Sequence, residues 1–495
     1  MYNLRWFLGW WWLLCPAAVF AQMPVQSNAV AAYVEALSND ETFRHVSMSL
    51  LAIDAATEQV IASYRPEAAL LPASTLKLVT TGLSLLSLGS DYRFRTSLYY
   101  DGTITGSTLA GNLYVVGGGD PTFGSTDSIA TPIDEVFSYW AAALKANGIH
   151  RVAGDIVADE TFFGAAETPE SWMWGDIGNY YGAQPSGLAF CENAYSALLT
   201  PGQKEGDHAT LHSYYPFIPG AGFVNEVTTD APGSGNQVVI YNSPFSGQQR
   251  LTGTIPANRD TTEVKGSNNS PAYTCIYYFG ELLNRQGIHF DGALRVVSTP
   301  EIPSTPRTLV ASHLSPPVKE IASVTNKISN NFFAETLLKT IGVQRKQNAS
   351  YDSSLTAVRE LLDSLHVPAS GFKMADGSGL SRKNYVPAQF MVDYLTMMYH
   401  SEAYEDFFYT MATPGDRGTF LTLLHSSPNK RRLHAKSGSM GGVRCYAGYA
   451  ENPRGTIIFA ILVNNFNYKI QVIQPKIERF LELLTEVNYE LAGAN

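Results

Sequence analysis

Three short groups of residues carry side chains able to do covalent chemistry: Ser74 with Lys77, Ser329 with Asn331, and Lys436 with Ser437. Ser74 and Lys77 lie three apart in "LLPASTLKLVTTGLSLLSLG", residues 70 to 89, at the start of an apolar helical pattern. Residues three apart on a helix share a face, so the first turn presents a hydroxyl beside an amine. A serine becomes a nucleophile when a neighbour takes its proton. A lysine can do that only if burial, the helix N-terminus or a second cation lowers its pKa. The spacing alone is not specific: a chain of this length should hold about two chance Ser-x-x-Lys matches. Ser370 with Lys373 and Ser427 with Lys430 also fit, in stretches rich in turn residues. A helix-start serine beside a solvated lysine would look the same.

Ser329, Asn330 and Asn331 stand where a turn hands over to the helical run "FFAETLLKTIG". Helix capping is the ordinary use of such residues, and Ser267-Asn268-Asn269 and Ser427-Pro428-Asn429 match Ser-x-Asn as well. Lys436-Ser437-Gly438 is the sole Lys-Ser/Thr-Gly, within "RLHAKSGSMGGVRCYAGYAENPRGTIIFAILVNNF", which reads as antiparallel strands with a turn at 452–455. On an edge strand the glycine admits a substrate backbone, while the lysine and hydroxyl offer charge and a hydrogen bond to a carboxylate. Asp176 lies in an aromatic-rich loop, residues 166 to 194, which reads equally as a ligand wall or as an irregular cap on a core.

The elements that must position these groups follow from periodicity. Leu76, Val79, Leu83 and Leu86 recur at helical spacing behind Pro72. A helix near Val30 to Leu37 and two strands within 46–67 precede them. From Tyr92 to Val297 the texture is short strands and turns, with a β-α-β-like unit around a helix over Ile133 to Ala146 and a further helix in "SPAYTCIYYFGELLNRQGI". Helical texture returns at 315, followed by the glycine-rich "GFKMADGSGLSRKN", a helix over Pro387 to Tyr399 and "TPGDRGTFLTLL". A last helix carries Ile477, Phe480, Leu481 and Leu484 on one face.

At 495 residues the chain exceeds one ordinary core, so two or three domains are expected. Hydrophobic content of 45%, charged content of 16% and a formal charge of -10 describe a globular protein and speak against a nucleic-acid surface. Residues 1–21 read as a secretory signal, with Arg5, an apolar run and a small-residue cleavage site before Gln22. The run is short for a bilayer and is interrupted by Pro16, so no stable transmembrane anchor is expected, and Leu14 before Cys15 does not suit a lipoprotein signal. Cys191, Cys275 and Cys445 are too dispersed for a disulfide framework or a zinc site and read as small apolar side chains. Gly117 to Gly119 read as a tight turn, not a phosphate loop, and neither cofactor nor metal is expected.

Taken in order, Ser-x-x-Lys on a helix, Ser-x-Asn at a helix entrance and Lys-Ser-Gly on a strand form the motif set of β-lactamases and penicillin-binding proteins. With "GGGDPT", "AGDIVAD", "ADGSGLSR" and "AKSGSMGGV", the chain closely resembles the D-alanyl-D-alanine carboxypeptidase/endopeptidase family, the class C low-molecular-mass penicillin-binding proteins. The resemblance implies a penicillin-recognising serine transpeptidase/β-lactamase-like α/β (α+β) catalytic domain, an antiparallel sheet flanked by helices. That domain would be built from 22–93 and 305–495, with β-rich inserted domains at 94–304 and a third domain nested at roughly 165–255. It makes Ser74 the acylated nucleophile, Lys77 its base, Ser329 a proton relay, Asn331 a ligand of the substrate amide and Lys436 a source of positive potential. Ser437 and Gly438 would receive the substrate's terminal carboxylate and backbone, and the N–H groups of Ser74 and Ser439 would form an oxyanion hole. Asp176 would bind the free amine of a stem-peptide side chain, with Tyr181 and Met440 as apolar walls. The expected partners are peptidoglycan stem peptides, with β-lactam antibiotics as covalent inhibitors, in the periplasm. Serine replaces the more usual threonine at 437, which keeps the hydroxyl. A β-lactamase would lack the large insert between the first two motifs, and a non-catalytic wall-binding scaffold would have no need of Ser74, Lys77 and Lys436.

Overall fold

The protein was examined as a computed structural model that describes residues 28–164, 166–244, 246–300 and 306–486. The expected secretory signal lies outside these residues. No helix among the described residues is long and apolar enough to cross a membrane.

Five antiparallel strands form the sheet that carries the Lys-Ser-Gly motif, in the order Val60–Tyr64, Ser47–Asp54, Gly455–Asn464, Val443–Asn452, Leu433–Met440. The central strand Gly455–Asn464 is an almost unbroken apolar run because helices cover both faces of the sheet. Ile458, Ala460 and Leu462 face a core shared with Leu76, Val79, Leu83, Leu337, Leu338 and Leu395. Ile457, Phe459, Ile461 and Val463 face the opposite core, filled by Val30, Val34, Ile477, Phe480, Leu481 and Leu484 from the first and last helices. The side-chain period of two thus distributes one strand between two cores. The motif strand Leu433–Met440 is at the edge.

The segment between the first two motifs has sheets and cores of its own. Leu294–Val297, Ile156–Asp159, Leu113–Val116, Arg95–Tyr100 and Thr308–Leu314 form a mixed five-stranded sheet. The helices Ile133–Ala146 and Pro271–Arg285 contribute Phe137, Trp140, Phe279 and Leu283 to its core. Because Thr308–Leu314 pairs with Arg95–Tyr100, sheet pairing runs past the expected 304 boundary to Leu314. Strands between Ala194 and Ser267 form a separate group around Tyr195, Leu199, Ile240, Leu251 and Val264, against which the short stretch 174–179 packs through the Asn179–Gly266 bridge.

Ser74 does not lie in the regular helix that its spacing suggests. Residues Ala73–Leu76 form a 3-10 turn, and the α-helix runs Lys77–Leu88. Side chains three apart eclipse one another in 3-10 geometry, which aligns Ser74 with Lys77 more closely than an α-helix would. The backbone before this turn is clamped by Asn464, a buried residue at the end of the central strand. Its Oδ1 accepts from the Leu71 N–H at 2.8 Å and its Nδ2 donates to the Leu71 carbonyl at 3.1 Å. Replacing Asn464 with alanine strands the Leu71 N–H and leaves its carbonyl only the Cys445 thiol at 3.4 Å, and should lower unfolding free energy by about 1–3 kcal/mol, read as a fall in the urea midpoint. A wild-type midpoint would show that the clamp carries no stability.

Candidate active site

Lys77 is wholly buried and Ser74 is partly exposed, so the amine is hidden beneath an accessible hydroxyl. The Lys77 Nζ donates to Ser74 Oγ at 2.9 Å, to Asn331 Oδ1 at 2.7 Å and to the Ser378 carbonyl at 2.7 Å. Burial drives its pKa from 10.5 down to about 7, against the opposing pull of the Glu335 and Asp376 carboxylates. The second and third motifs join this pair through their own bonds. Asn331 opens the helix Asn331–Lys346, and its Nδ2 donates to the Tyr181 carbonyl at 2.8 Å. Ser329 sits just upstream in the left-handed region, at φ 62°, and its Oγ accepts from Lys436 Nζ at 2.9 Å. Lys436 is also fully buried, and its ammonium is pushed well below the usual range by burial and then by Lys77 and Arg444.

The edge strand reaches Ser74 because residue 438 is glycine. A Cβ there would stand 2.4 Å from the Pro72 carbonyl oxygen and 3.2 Å from the Ser74 nitrogen. Next to it Ser437 Oγ bonds Thr419 Oγ1 at 2.9 Å, while Ser439 is exposed and Met440 partly buried along the same strand. The structure therefore brings together Ser74, Lys77, Ser329, Asn331, Lys436 and Ser437, which the sequence spreads over more than three hundred residues. Ser370 stands on an exposed turn, and Ser427 is buried ahead of the short Lys430–Arg432 turn.

Several residues that matter to this geometry received no role from the sequence. Glu335, wholly buried, accepts from the N–H groups of Gly377 at 2.9 Å and Ser378 at 2.7 Å and from the Tyr351 hydroxyl at 3.1 Å. Burial and then the Asp376 carboxylate push its carboxyl upward. Asp376 in turn accepts from the Gly379 N–H at 2.9 Å, Asn384 Nδ2 at 2.9 Å and the Trp172 indole at 2.8 Å. These two carboxyl groups fold the glycine-rich loop so that the Ser378 carbonyl faces Lys77. Gly379, at φ 84°, presses against the turn that holds Ser74, where a Cβ would lie 1.9 Å from the Ala73 oxygen. The visible signal was "ADGSGLSR". Glu335 was hidden as an acid on the core side of an apolar helical run.

The aromatic-rich loop is buried on one side and exposed on the other. Trp172 is buried against Asp376, whereas Trp174 is 66% exposed and rests on Tyr241 with ring centroids 4.9 Å apart. Asp176 lies in the short helix Trp174–Ile177, half-buried, with the Tyr181 hydroxyl donating to its Oδ1 at 3.5 Å. Burial raises its pKa, partly offset by a backbone hydrogen bond at Met173 and by Arg382. Through its carbonyl, Tyr181 ties this corner to Asn331. A cleft of about 550 Å³ opens beside it, lined by Tyr180, Tyr181, Glu192, Ser329, Asn331 and Arg417. Cys275 and Cys445 are buried, Cys191 is partly so, and all three are free thiols. Among the described residues no group of three or more His, Cys, Asp or Glu could hold a metal ion.

Comparison with known proteins gives the family and the fold. The chain is 28% identical over 473 residues to a D-alanyl-D-alanine carboxypeptidase of Actinomadura sp. (strain R39), covering 91% of this chain and 85% of that protein. It is 27% identical over 423 residues to the D-alanyl-D-alanine carboxypeptidase DacB of Haemophilus influenzae, covering 83% of each. The crystal structure of penicillin binding protein 4 (dacB) from Haemophilus influenzae superposes with a TM-score of 0.78 at 23% identity, over 91% of this chain and 99% of that one. That likeness establishes the penicillin-recognising serine transpeptidase/β-lactamase-like fold. The sequence matches the D-Ala-D-Ala carboxypeptidase 3 (S13) family from residue 30 to residue 484, and the chain belongs to that family as a D-Ala-D-Ala carboxypeptidase.

Proposed function

We propose that this carboxypeptidase cleaves the terminal D-alanine from peptidoglycan stem peptides through an acyl-enzyme on Ser74. On this reading it also opens D-alanyl cross-links as an endopeptidase, and β-lactams acylate the same serine. The observation that carries the reading is the environment of Lys77. A neutral amine has two N–H bonds and one lone pair. As an ammonium Lys77 donates to all three partners; once it is neutral, Asn331 Oδ1 and the Ser378 carbonyl take its two donors and the bond to Ser74 reverses, the lone pair accepting from the hydroxyl 2.9 Å away.

The steps follow from that arrangement. Ser74 Oγ attacks the carbonyl carbon of the penultimate D-alanine while its proton passes to Lys77 Nζ. The N–H groups of Ser74 and Ser439 receive the oxyanion, and Asn331 holds the substrate amide. Ser329, bonded to Lys436, relays a proton to the nitrogen of the departing D-alanine, and water then hydrolyses the Ser74 ester. Lys436 supplies positive potential, with Ser437 and Gly438 receiving the terminal carboxylate and the adjoining backbone. Asp176 accepts a side-chain ammonium of the stem peptide between Tyr181 and Met440. Sheet pairing supports a catalytic domain split by inserted domains that return to it after Leu314. Action on peptidoglycan implies export to the cell envelope, and the relatives named as D-alanyl-D-alanine carboxypeptidases support it.

Labelled penicillin followed by peptide mapping should place the adduct on Ser74, and Ser74→Ala should abolish it. Label on Ser370 or Ser427 would reassign the nucleophile. The lowered Lys77 pKa sets the pH response. The amine is a base only when unprotonated, so that form is lost as pH falls through about 7. Acylation by penicillin should therefore fall close to tenfold per pH unit below that point and level off above it. A flat profile from about pH 5 to 8 would remove Lys77 as the base. Asp176→Asn should lower kcat/KM for amine-bearing stem peptides by roughly ten- to a hundredfold, at about 1.4 kcal/mol per decade. Acylation by a penicillin lacking the amine should be nearly unchanged. Equal slowing of both would make Asp176 a structural residue.

A further inference from the structure

We infer that Glu192, contributed by the inserted segment, is a positioning residue for the Ser329–Asn331 turn. The inference builds on the roles assigned to Ser329 and Asn331 above.

The first observation is backbone strain. Cys191, Glu192 and Asn193 are consecutive non-glycine residues in the left-handed region, at φ 53°, 56° and 50°. L-residues visit that region singly and at a cost, so three in succession persist only where the surroundings impose them. Here they do. The Cys191 N–H donates to the Phe123 carbonyl at 3.1 Å, Asn193 Oδ1 accepts from the Phe190 N–H at 3.0 Å, and Asn193 Nδ2 donates to the Gln184 carbonyl at 2.8 Å. Gly124 lets the neighbouring loop close on this turn, since a Cβ there would already touch the Phe190 ring at 3.0 Å.

The second observation is what the strained turn presents. Glu192 Oε1 accepts from Ser125 Oγ at 2.6 Å, and Oε2 accepts from Asn330 Nδ2 at 2.8 Å. Asn330 is the middle residue of the motif, and its Oδ1 caps the following helix by accepting from the Phe333 N–H at 3.0 Å. Its amide is thus fixed at both ends: one holds the helix, the other holds the insert. On either side stand Ser329, bonded to Lys436, and Asn331, bonded to Lys77. The Tyr181 carbonyl grips Asn331 from the same inserted segment. Across the cleft, Asp127 of the insert pairs with Arg417 at 3.0 Å, two residues before the Thr419 that bonds Ser437. The insert therefore touches the turn that orients both catalytic lysines, and Glu192 is the side chain that reaches its centre.

The test exchanges the donor and the acceptor across this contact. Asn330→Asp keeps an equally good helix cap but sets two carboxylates against each other. It should lower kcat for D-alanine release from an acyl-D-alanyl-D-alanine peptide by about ten- to a hundredfold, with KM within about threefold. Glu192→Gln alone still offers an oxygen to Asn330 and should stay within about threefold of wild type. Combined with Asn330→Asp it places an amide donor opposite the new carboxylate, and kcat should recover to within about threefold. A double variant as slow as Asn330→Asp, or Glu192→Ala with wild-type kcat, overturns the assignment. A kcat loss that tracks a fall in Tm equally in every variant also overturns it, because that marks a purely structural contact. D-alanine release is read without reference to which serine is acylated, so this result stands apart from the labelling of Ser74.

Discussion

The site depends on keeping one lysine amine out of water. Lys77 is buried with no carboxylate among its hydrogen-bond partners, which are a hydroxyl, an amide oxygen and a main-chain carbonyl. A salt bridge in place of any of these would stabilise the ammonium and hold the group in its acid form. The Glu335 and Asp376 carboxyl groups act on it only through space, while their own hydrogen bonds are spent on the backbone of the glycine-rich loop and on Trp172, Tyr351 and Asn384. That separation of tasks lets acids organise the floor of the site without forming a salt bridge to Lys77.

Placing a lysine this way requires three segments from distant parts of the chain to approach the Ser74 turn at backbone distance. Glycine makes two of the approaches possible. Gly438 brings the edge strand against Pro72 and Ser74, and Gly379 brings the loop against Ala73. Asn464 secures the third by binding both backbone groups of Leu71. Interiors are packed densely enough that one added methyl at either glycine would displace Ser74 relative to Lys77.

What was legible in the sequence divides along the same line. The three motifs could be read because each is local: Ser74 and Lys77 share a turn, Asn331 begins a helix, and Lys436 to Gly438 lie on one strand. The cores were legible too, since Ile477, Phe480, Leu481 and Leu484 repeat at helical spacing and all are buried. The 3-10 character of residues 73–76 was not, because it depends on the contacts around Ala73 and not on propensity. Glu335 and Asp376 escaped notice because main-chain N–H groups, which leave no trace in residue type, hold them together with the side chains of Tyr351, Trp172 and Asn384, none of which forms a motif with them. The inserted sheet's extension to Leu314 was also hidden. Thr308–Leu314 finds its partner at Arg95–Tyr100, and no periodicity reports a pairing across some two hundred residues.

The position of the insert in the chain then acquires a physical meaning. The segment with sheets of its own follows the Lys77–Leu88 helix and ends at Leu314, shortly before the helix Val318–Lys327, which leads into Ser329. A loop that only joined those points would leave the Ser329–Asn331 turn to be held by its own helix and by the two lysines. Two buried amines of like charge cannot by themselves fix a turn between them, since each disfavours the other's protonated form. Neutral and anionic acceptors from outside the catalytic unit avoid that conflict. The Tyr181 carbonyl and the Glu192 carboxylate bind the two asparagines and leave Lys77 and Lys436 free to bind the reacting groups. The segment that carries Tyr181 and Glu192 thus helps to hold the turn between two buried amines without a salt bridge to either one.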